Sequence, residues 1–87
     1  MAEGAIRLDK WLWYVRLAPS RAAAQTLCET RHIRINRRVI GRASSPVKVG
    51  EVVTMPCPGG GARAVRVEAV PARRGPYSEA RHAYAEL

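Results

Sequence analysis

No apolar run in this 87-residue chain approaches the ~18–20 residues that a membrane span needs. The N-terminus, Met1-Ala2-Glu3-Gly4-Ala5, lacks the basic-then-apolar order of a secretory signal, so the chain reads as cytoplasmic. Cysteine is scarce: Cys28 and Cys57 imply no disulfide framework. Cys28 precedes His32 by four residues, but a zinc site needs two further ligands and only Cys57 and His82 remain. Structural zinc ligands usually come in close pairs such as CxxC, so Cys28 is expected as a small core residue and no metal is expected. No catalytic constellation is visible. The run Gly59-Gly60-Gly61 lacks the following Lys-Ser/Thr of a phosphate-binding loop, and no cofactor is expected. No strand carries a pair of aromatics, which excludes the base-stacking sheet of an RNA-recognition motif.

Acidic residues are scarce too. Lys+Arg 15 against Asp+Glu 7 leaves +8, and thirteen of the fifteen cations are arginine. The excess is lopsided. Residues 1–50 hold ten cations and three acids, residues 51–87 five and four. Charge concentrated in one half points to an electrostatic footprint rather than to solubility alone. Arginine's planar fork matches phosphate oxygens and stacks on bases.

The length allows one domain. Leu8, Trp11, Leu12 and Val15 fall at the spacing of an amphipathic helix, with Arg7, Lys10 and Tyr14 on the opposing side. Pro19 ends this helix and Ser20 caps the next, whose stripe is Ala23, Ala24, Leu27 and Cys28. From Ile33 the period becomes two, with Ile33 and Ile35 facing one way and Arg34 and Asn36 the other. Asn36-Arg37 forms a turn and Arg38-Val39-Ile40 a return strand. Two valine-rich runs flank a turn at Gly50-Glu51, and Val65, Val67 and Ala69 mark a last strand. Residues 71–76 read as a linker, and Ser78 caps a final helix over 79–86, with Ala80, Ala83, Tyr84 and Leu87 facing inward. The order predicts an α+β domain: two antiparallel helices on a small, mostly antiparallel sheet, with a short C-terminal helix. Residues 1–6 are expected to be disordered, 7–70 to form the domain, and 71–87 to form the linker and helix.

Arg7-Leu8-Asp9-x-x-Leu12, Ser20-Arg21-x-x-Ala24, Ile33-x-Ile35-Asn36 and the turn at Gly50-Glu51 together resemble the S4-type RNA-binding domain over roughly residues 7–55. Lys10-Trp11-Leu12-Trp13 and Arg73-Arg74-Gly75-Pro76-x-Ser78-Glu79-Ala80, with Tyr84, resemble the bacterial heat-shock protein 15 family. That resemblance implies binding to the large ribosomal subunit, in particular to subunits that keep a nascent chain on tRNA, and a role in ribosome rescue under stress. It also implies a non-enzymatic protein. The chain departs from the S4 pattern where glycine usually ends the second helix (here Thr30-Arg31) and in the turn (here Asn36-Arg37). A left-handed arginine costs about 1 kcal/mol.

The candidate RNA-binding residues are Arg7, Lys10, Ser20, Arg21, Gln25, Arg31, His32, Arg34, Asn36, Arg37, Arg38 and Lys48. Arg7 and Lys10 begin the first helix off its apolar stripe. Arg21 and Gln25 line one face of the second helix beside its start, whose amides favour anions. Arg31, His32, Arg34, Arg37 and Arg38 carry the basic zone into the hairpin, and Lys48 lies near the same edge. Asp9 is expected to be structural, placed in the first turn and able to orient Arg21. Trp11 is expected in the core. Trp13 either stacks on a base or, the preferred reading, packs under the C-terminal helix against Tyr84. The expected partners are large-subunit rRNA and possibly tRNA, with no membrane, bound by a monomer. The alternative is a general RNA- or nucleic-acid-binding chaperone acting off the ribosome.

Overall fold

The apolar stripe of the first helix becomes the centre of the core. Leu8, Trp11, Leu12 and Val15 are all buried in the computed structural model, which describes residues 4–87. Their helix, α1 (Leu8–Tyr14), packs beside α2 (Arg21–Glu29), where only the small Ala24 and Cys28 are fully buried. Small side chains at that contact let the two helix axes approach closely. Leu27, expected on the buried stripe, is only partly buried.

α1 follows directly on a two-residue strand, β1 (Ile6–Arg7), and α2 leads into the hairpin of β2 (Ile33–Ile35) and β3 (Arg38–Ile40). The remaining strands are β4 (Pro46–Val47), β5 (Val52–Pro56), β6 (Ala62–Val67) and β7 (Tyr84–Glu86). β1 pairs with β4, and the other five form an antiparallel sheet in the order β3-β2-β5-β6-β7. Ile33, Ile35, Val53, Met55, Val65 and Val67 turn one face of this sheet into the core. Arg34 lies on the other face, opposite Val39 and Thr54. The α+β architecture is the one expected from the sequence.

Both helices end in the same way. Leu17 N–H bonds to Leu12 C=O and Arg16 N–H to Trp13 C=O, while His32 N–H bonds to Leu27 C=O and Arg31 N–H to Cys28 C=O. These are Schellman closures, and they put Arg16 (φ 63°) and Arg31 (φ 61°) in the left-handed region. Asn36 (φ 50°) and Arg37 (φ 75°) have positive φ as well, as a two-residue turn matched to strand twist requires. The backbone thus keeps the shape that glycine would favour, with arginine at three of the four positions.

The C-terminal segment departs from expectation. α3 (Tyr77–Ala80) is one turn long and starts at Pro76 with no side-chain cap, so Ser78 does not cap it. A 3₁₀ turn over Arg81–Ala83 follows, and 84–86 form β7 against β6 instead of continuing a helix. Pairing gives Val65, Arg66 and Val67 of β6 ladder partners on their second side, which a short exposed helix would not. Ala80 and Ala83 are buried as expected, whereas Leu87 is exposed. Of the stretch 1–6, expected to be disordered, Ile6 is paired with Val47 in β1, and residues 1–3 lie outside the described residues. β4 pairs with β1 rather than across the Gly50-Glu51 turn. Among the described residues no helix is long and apolar enough to cross a membrane.

Candidate nucleic-acid interface

Asp9 is fully buried, yet it carries a carboxylate. Five N–H donors from four residues satisfy it. Arg7 donates from Nε (3.0 Å) and from its terminal guanidinium nitrogen (3.1 Å), and Lys10 donates its backbone N–H (2.9 Å). Arg21 Nε approaches to 3.4 Å and Gln25 Nε2 to 3.2 Å. Burial by itself raises the carboxyl pKa, but the hydrogen bonds from Arg7, Gln25 and Lys10 and the charge of Arg7 outweigh it. Asp9 therefore stays below the ordinary carboxylate range. The same contact raises the Arg7 guanidinium further, through the Asp9 hydrogen bond first.

One carboxylate at the start of α1 thus fixes three side chains, Arg7 at the end of β1 and Arg21 and Gln25 on α2. The Arg7 and Arg21 side chains remain 39% and 38% exposed, so each guanidinium shows part of its donor set to solvent. Local sequence makes the arrangement possible. Ser45 C=O and Ala43 C=O accept the N–H groups of Leu8 and Asp9, which anchors the start of α1. Ser20 Oγ accepts from Ala23 N–H at 3.0 Å and starts α2. The Ser20 hydroxyl proton remains available for an anion.

The other candidates surround this centre to different degrees. Lys10 is half-buried, and Arg31, Arg34, Arg37 and Arg38 are exposed; none has a carboxylate partner among the described residues. The Arg31 guanidinium lies over Gly41, its Cζ 3.4 Å from where a Cβ would stand there. His32 Nδ1 contacts Thr30 Oγ1 at 2.9 Å and is exposed. Asn36 is held within the fold. Its Oδ1 accepts from Val52 N–H (2.9 Å) and its Nδ2 donates to Glu51 (3.1 Å), so its polar atoms serve strand pairing. Glu51 also accepts the Lys48 backbone N–H at 2.9 Å, which places Lys48 on this second turn with its side chain exposed.

Two basic residues outside the expected set are exposed as well. Arg42 is exposed in the loop that anchors α1, and its signal was the acid-free run from Arg31. Arg16 gave no signal, because nothing in its neighbours marks a left-handed position. Its Nε donates to Gly75 C=O at 2.7 Å. Trp13 does not pack on Tyr84. The Arg74 guanidinium lies 5.5 Å from the Trp13 ring centroid and Arg74 Nε donates to Trp13 C=O. The Tyr84 ring lies under Arg63 instead. Trp11 is buried as expected, and its indole N–H donates to Ala69 C=O.

Ion pairing sharpens the charge asymmetry of the sequence. Arg63 pairs with Glu86, Arg66 with Glu68 and Arg73 with Glu79, whereas the cations of the hairpin face have no such partners among the described residues. Among the described residues no three His, Cys, Asp or Glu side chains gather as a metal site.

Comparison with known proteins agrees with this geometry. The S4 domain family model matches residues 6–53. Heat shock protein 15 of Escherichia coli K12 is 37% identical over 83 residues, covering 93% of this chain and 59% of that protein. A heat shock protein 15 homolog of Haemophilus influenzae is 34% identical over 55 residues, 63% of this chain and 41% of that protein. This chain thus spans about three-fifths or less of these relatives. A solved structure of Vibrio cholerae heat shock protein 15, described as trimeric, superposes with a TM-score of 0.84 at 27% identity, over 95% of this chain and 82% of that one. With the family matched over more than half of its residues and the Asp9-centred helix pair in place, the chain belongs to the S4 domain family and is similar to heat shock protein 15.

Proposed function

We propose that this protein binds folded RNA of the large ribosomal subunit through the face built on Asp9. The observation that carries the reading is the contrast in pairing. Arg7 and Arg21 are held rigid and half-exposed by a buried carboxylate, beside cations that have no acid partner among the described residues. Rigid guanidiniums lose little entropy on meeting phosphates. Folded RNA offers phosphates and 2′-hydroxyls across a shallow groove, and a helix-and-hairpin face of guanidinium groups reads that shape rather than base sequence.

In this reading the chain acts without catalysis and as a monomer. It prefers large subunits that still carry peptidyl-tRNA. The strip from Arg7 through Arg21 to Arg34 engages two RNA elements together, and linkage between them raises affinity without a stronger single contact. Similarity to heat shock protein 15 supports the ribosomal partner, and the basic face supports RNA. The test is co-sedimentation with vacant and with tRNA-carrying large subunits at near-physiological salt. Tighter binding to the tRNA-carrying kind is expected. Equal binding to both removes the rescue role, and equal binding to any structured RNA favours a general RNA-binding protein.

A further inference from the structure

A cavity of about 430 Å³ opens between the end of α1 and the C-terminal segment, away from the Asp9 cluster. Its walls include Tyr14, Pro71, Ala80 and Ala83, with the Arg73 guanidinium and the Glu79 carboxylate among its polar groups. The volume lies in the range of small-ligand sites, roughly 300–1,000 Å³. We propose that this cavity takes one unstacked guanine base of the bound RNA, with Glu79 reading its Watson–Crick edge. The proposal deepens the RNA-binding reading and rests on it.

Three observations carry it. First, the carboxylate lies against Gly75. Glu79 Oε2 stands 2.9 Å from the position a Cβ would take on Gly75, so a larger residue at 75 makes the Glu79 side chain shift. Gly75 does not have positive φ, so its small size serves this contact rather than a turn. Glu79 meets Arg73 at 3.6 Å with both side chains mostly exposed, which leaves carboxylate lone pairs free to accept. Guanine is the base that places two N–H donors side by side, at N1 and N2, and a carboxylate accepts both together. Adenine and cytosine set an acceptor beside their amino group, and uracil sets carbonyls on both sides of its N–H.

Second, the walls include an aromatic residue and apolar surface. Tyr14 and Pro71 offer apolar surface, and bases stack on aromatic side chains in single-stranded RNA sites. Third, charge and position connect the cavity to the basic face. Arg16, bonded to Gly75 C=O, and Arg73 flank it. Tyr14 lies on the side of α1 that carries Arg7 and Lys10, about 10 Å along the axis from Arg7. In this proposal a strand held at Arg7 and Arg21 extends along α1 to the cavity.

The experiment is an amide-resolved NMR titration of the whole chain with GMP, AMP, CMP and UMP in turn. GMP is expected to shift the amides of Ala69, Glu79, Ala80 and Ala83, at roughly tenfold lower Kd than the other three nucleotides. Glu79→Gln is expected to lose roughly that tenfold preference, and Gly75→Ala to do the same with the carboxylate retained. Four nucleotides shifting these amides alike, or shifts confined to Arg21 and Arg34, overturn the guanine site while leaving phosphate binding at the basic face intact. Concentration-dependent shifts of the cavity amides without nucleotide would show a second copy of the chain there, and also overturn it. Failure of the RNA-binding reading shows separately, as no binding of rRNA to the parent chain.

Discussion

Asp9 and Arg21, twelve residues apart and on different helices, meet at 3.4 Å with the carboxylate fully buried and the guanidinium half-exposed. The contact ties the packing of α1 on α2 to the position of a charge on the surface. Asp9→Ala removes the acceptor for Arg7, Arg21, Gln25 and the Lys10 amide together. Breaking a buried pair costs about 3–5 kcal/mol, but both arginines are more than a third exposed and can rehydrate, so about 1–3 kcal/mol is expected by denaturant titration. RNA affinity should fall alongside, and more than in Arg7→Ala.

The pH profile of stability has a definite sign. The folded pKa of Asp9 is lowered, so its contribution is present above the unfolded value near ~3.9 and is lost as pH falls through the lower folded value. Cys28 behaves oppositely. Burial first, then the charges of Asp9 and Glu29, push its thiol up from 9.0 to about 11. Its contribution is full below 9.0 and is lost as pH rises toward about 11. Melting temperature against pH should thus fall at both ends, and Cys28→Ala should flatten only the alkaline limb.

Leu12 and Leu27 should no longer behave alike. Leu12 is 1% exposed, and its truncation to Ala should cost roughly 2–5 kcal/mol, enough to unfold a domain this small at growth temperature. Leu27 is only partly buried, and Leu27→Ala should cost about 1 kcal/mol. Thermal melts of the two variants decide it.

Arginine in left-handed backbone sets stability against binding. Arg37→Gly, at φ 75°, should stabilise the fold by about 1 kcal/mol while weakening RNA binding through the lost charge. Arg31→Gly should do the same, at φ 61°. A variant that melts higher yet binds RNA as well as the parent would show that the hairpin charge does not reach RNA.

Much of the architecture was legible in local pattern. The stripe Leu8-Trp11-Leu12-Val15 and the alternation Ile33-Arg34-Ile35 each follow from one period. The place of Asp9 beside Arg21 was legible too, because a carboxylate in the first turn of one helix faces the start of its neighbour. The last strand was not. Ala80 and Ala83 at i and i+3 fit a helix as well as a 3₁₀ turn, and the pairing of Tyr84–Glu86 with β6 is a long-range event that leaves no period in four residues. Arg16 was hidden for a related reason. α1 stops at Tyr14, well before Pro19, and its left-handed closure uses arginine where glycine would have marked it. Asn36 reads as a contact residue from its strand face; the bonds of its side chain to Val52 N–H and Glu51 are long-range and leave no mark in the local sequence.

The central claim is that RNA phosphates are held by the Asp9-anchored arginines and the hairpin cations. It is tested most directly by rRNA binding against salt concentration for the parent, for Arg21→Ala with Arg34→Ala, and for Arg63→Ala with Arg66→Ala. If about 4–6 phosphates are neutralised, log K against log salt should slope about −3 to −5 for the parent. The slope should become shallower by about 1–2 in the first double variant and stay nearly unchanged in the second, whose arginines pair with Glu86 and Glu68. A parent slope near zero, or equal losses from the two double variants, would contradict the account.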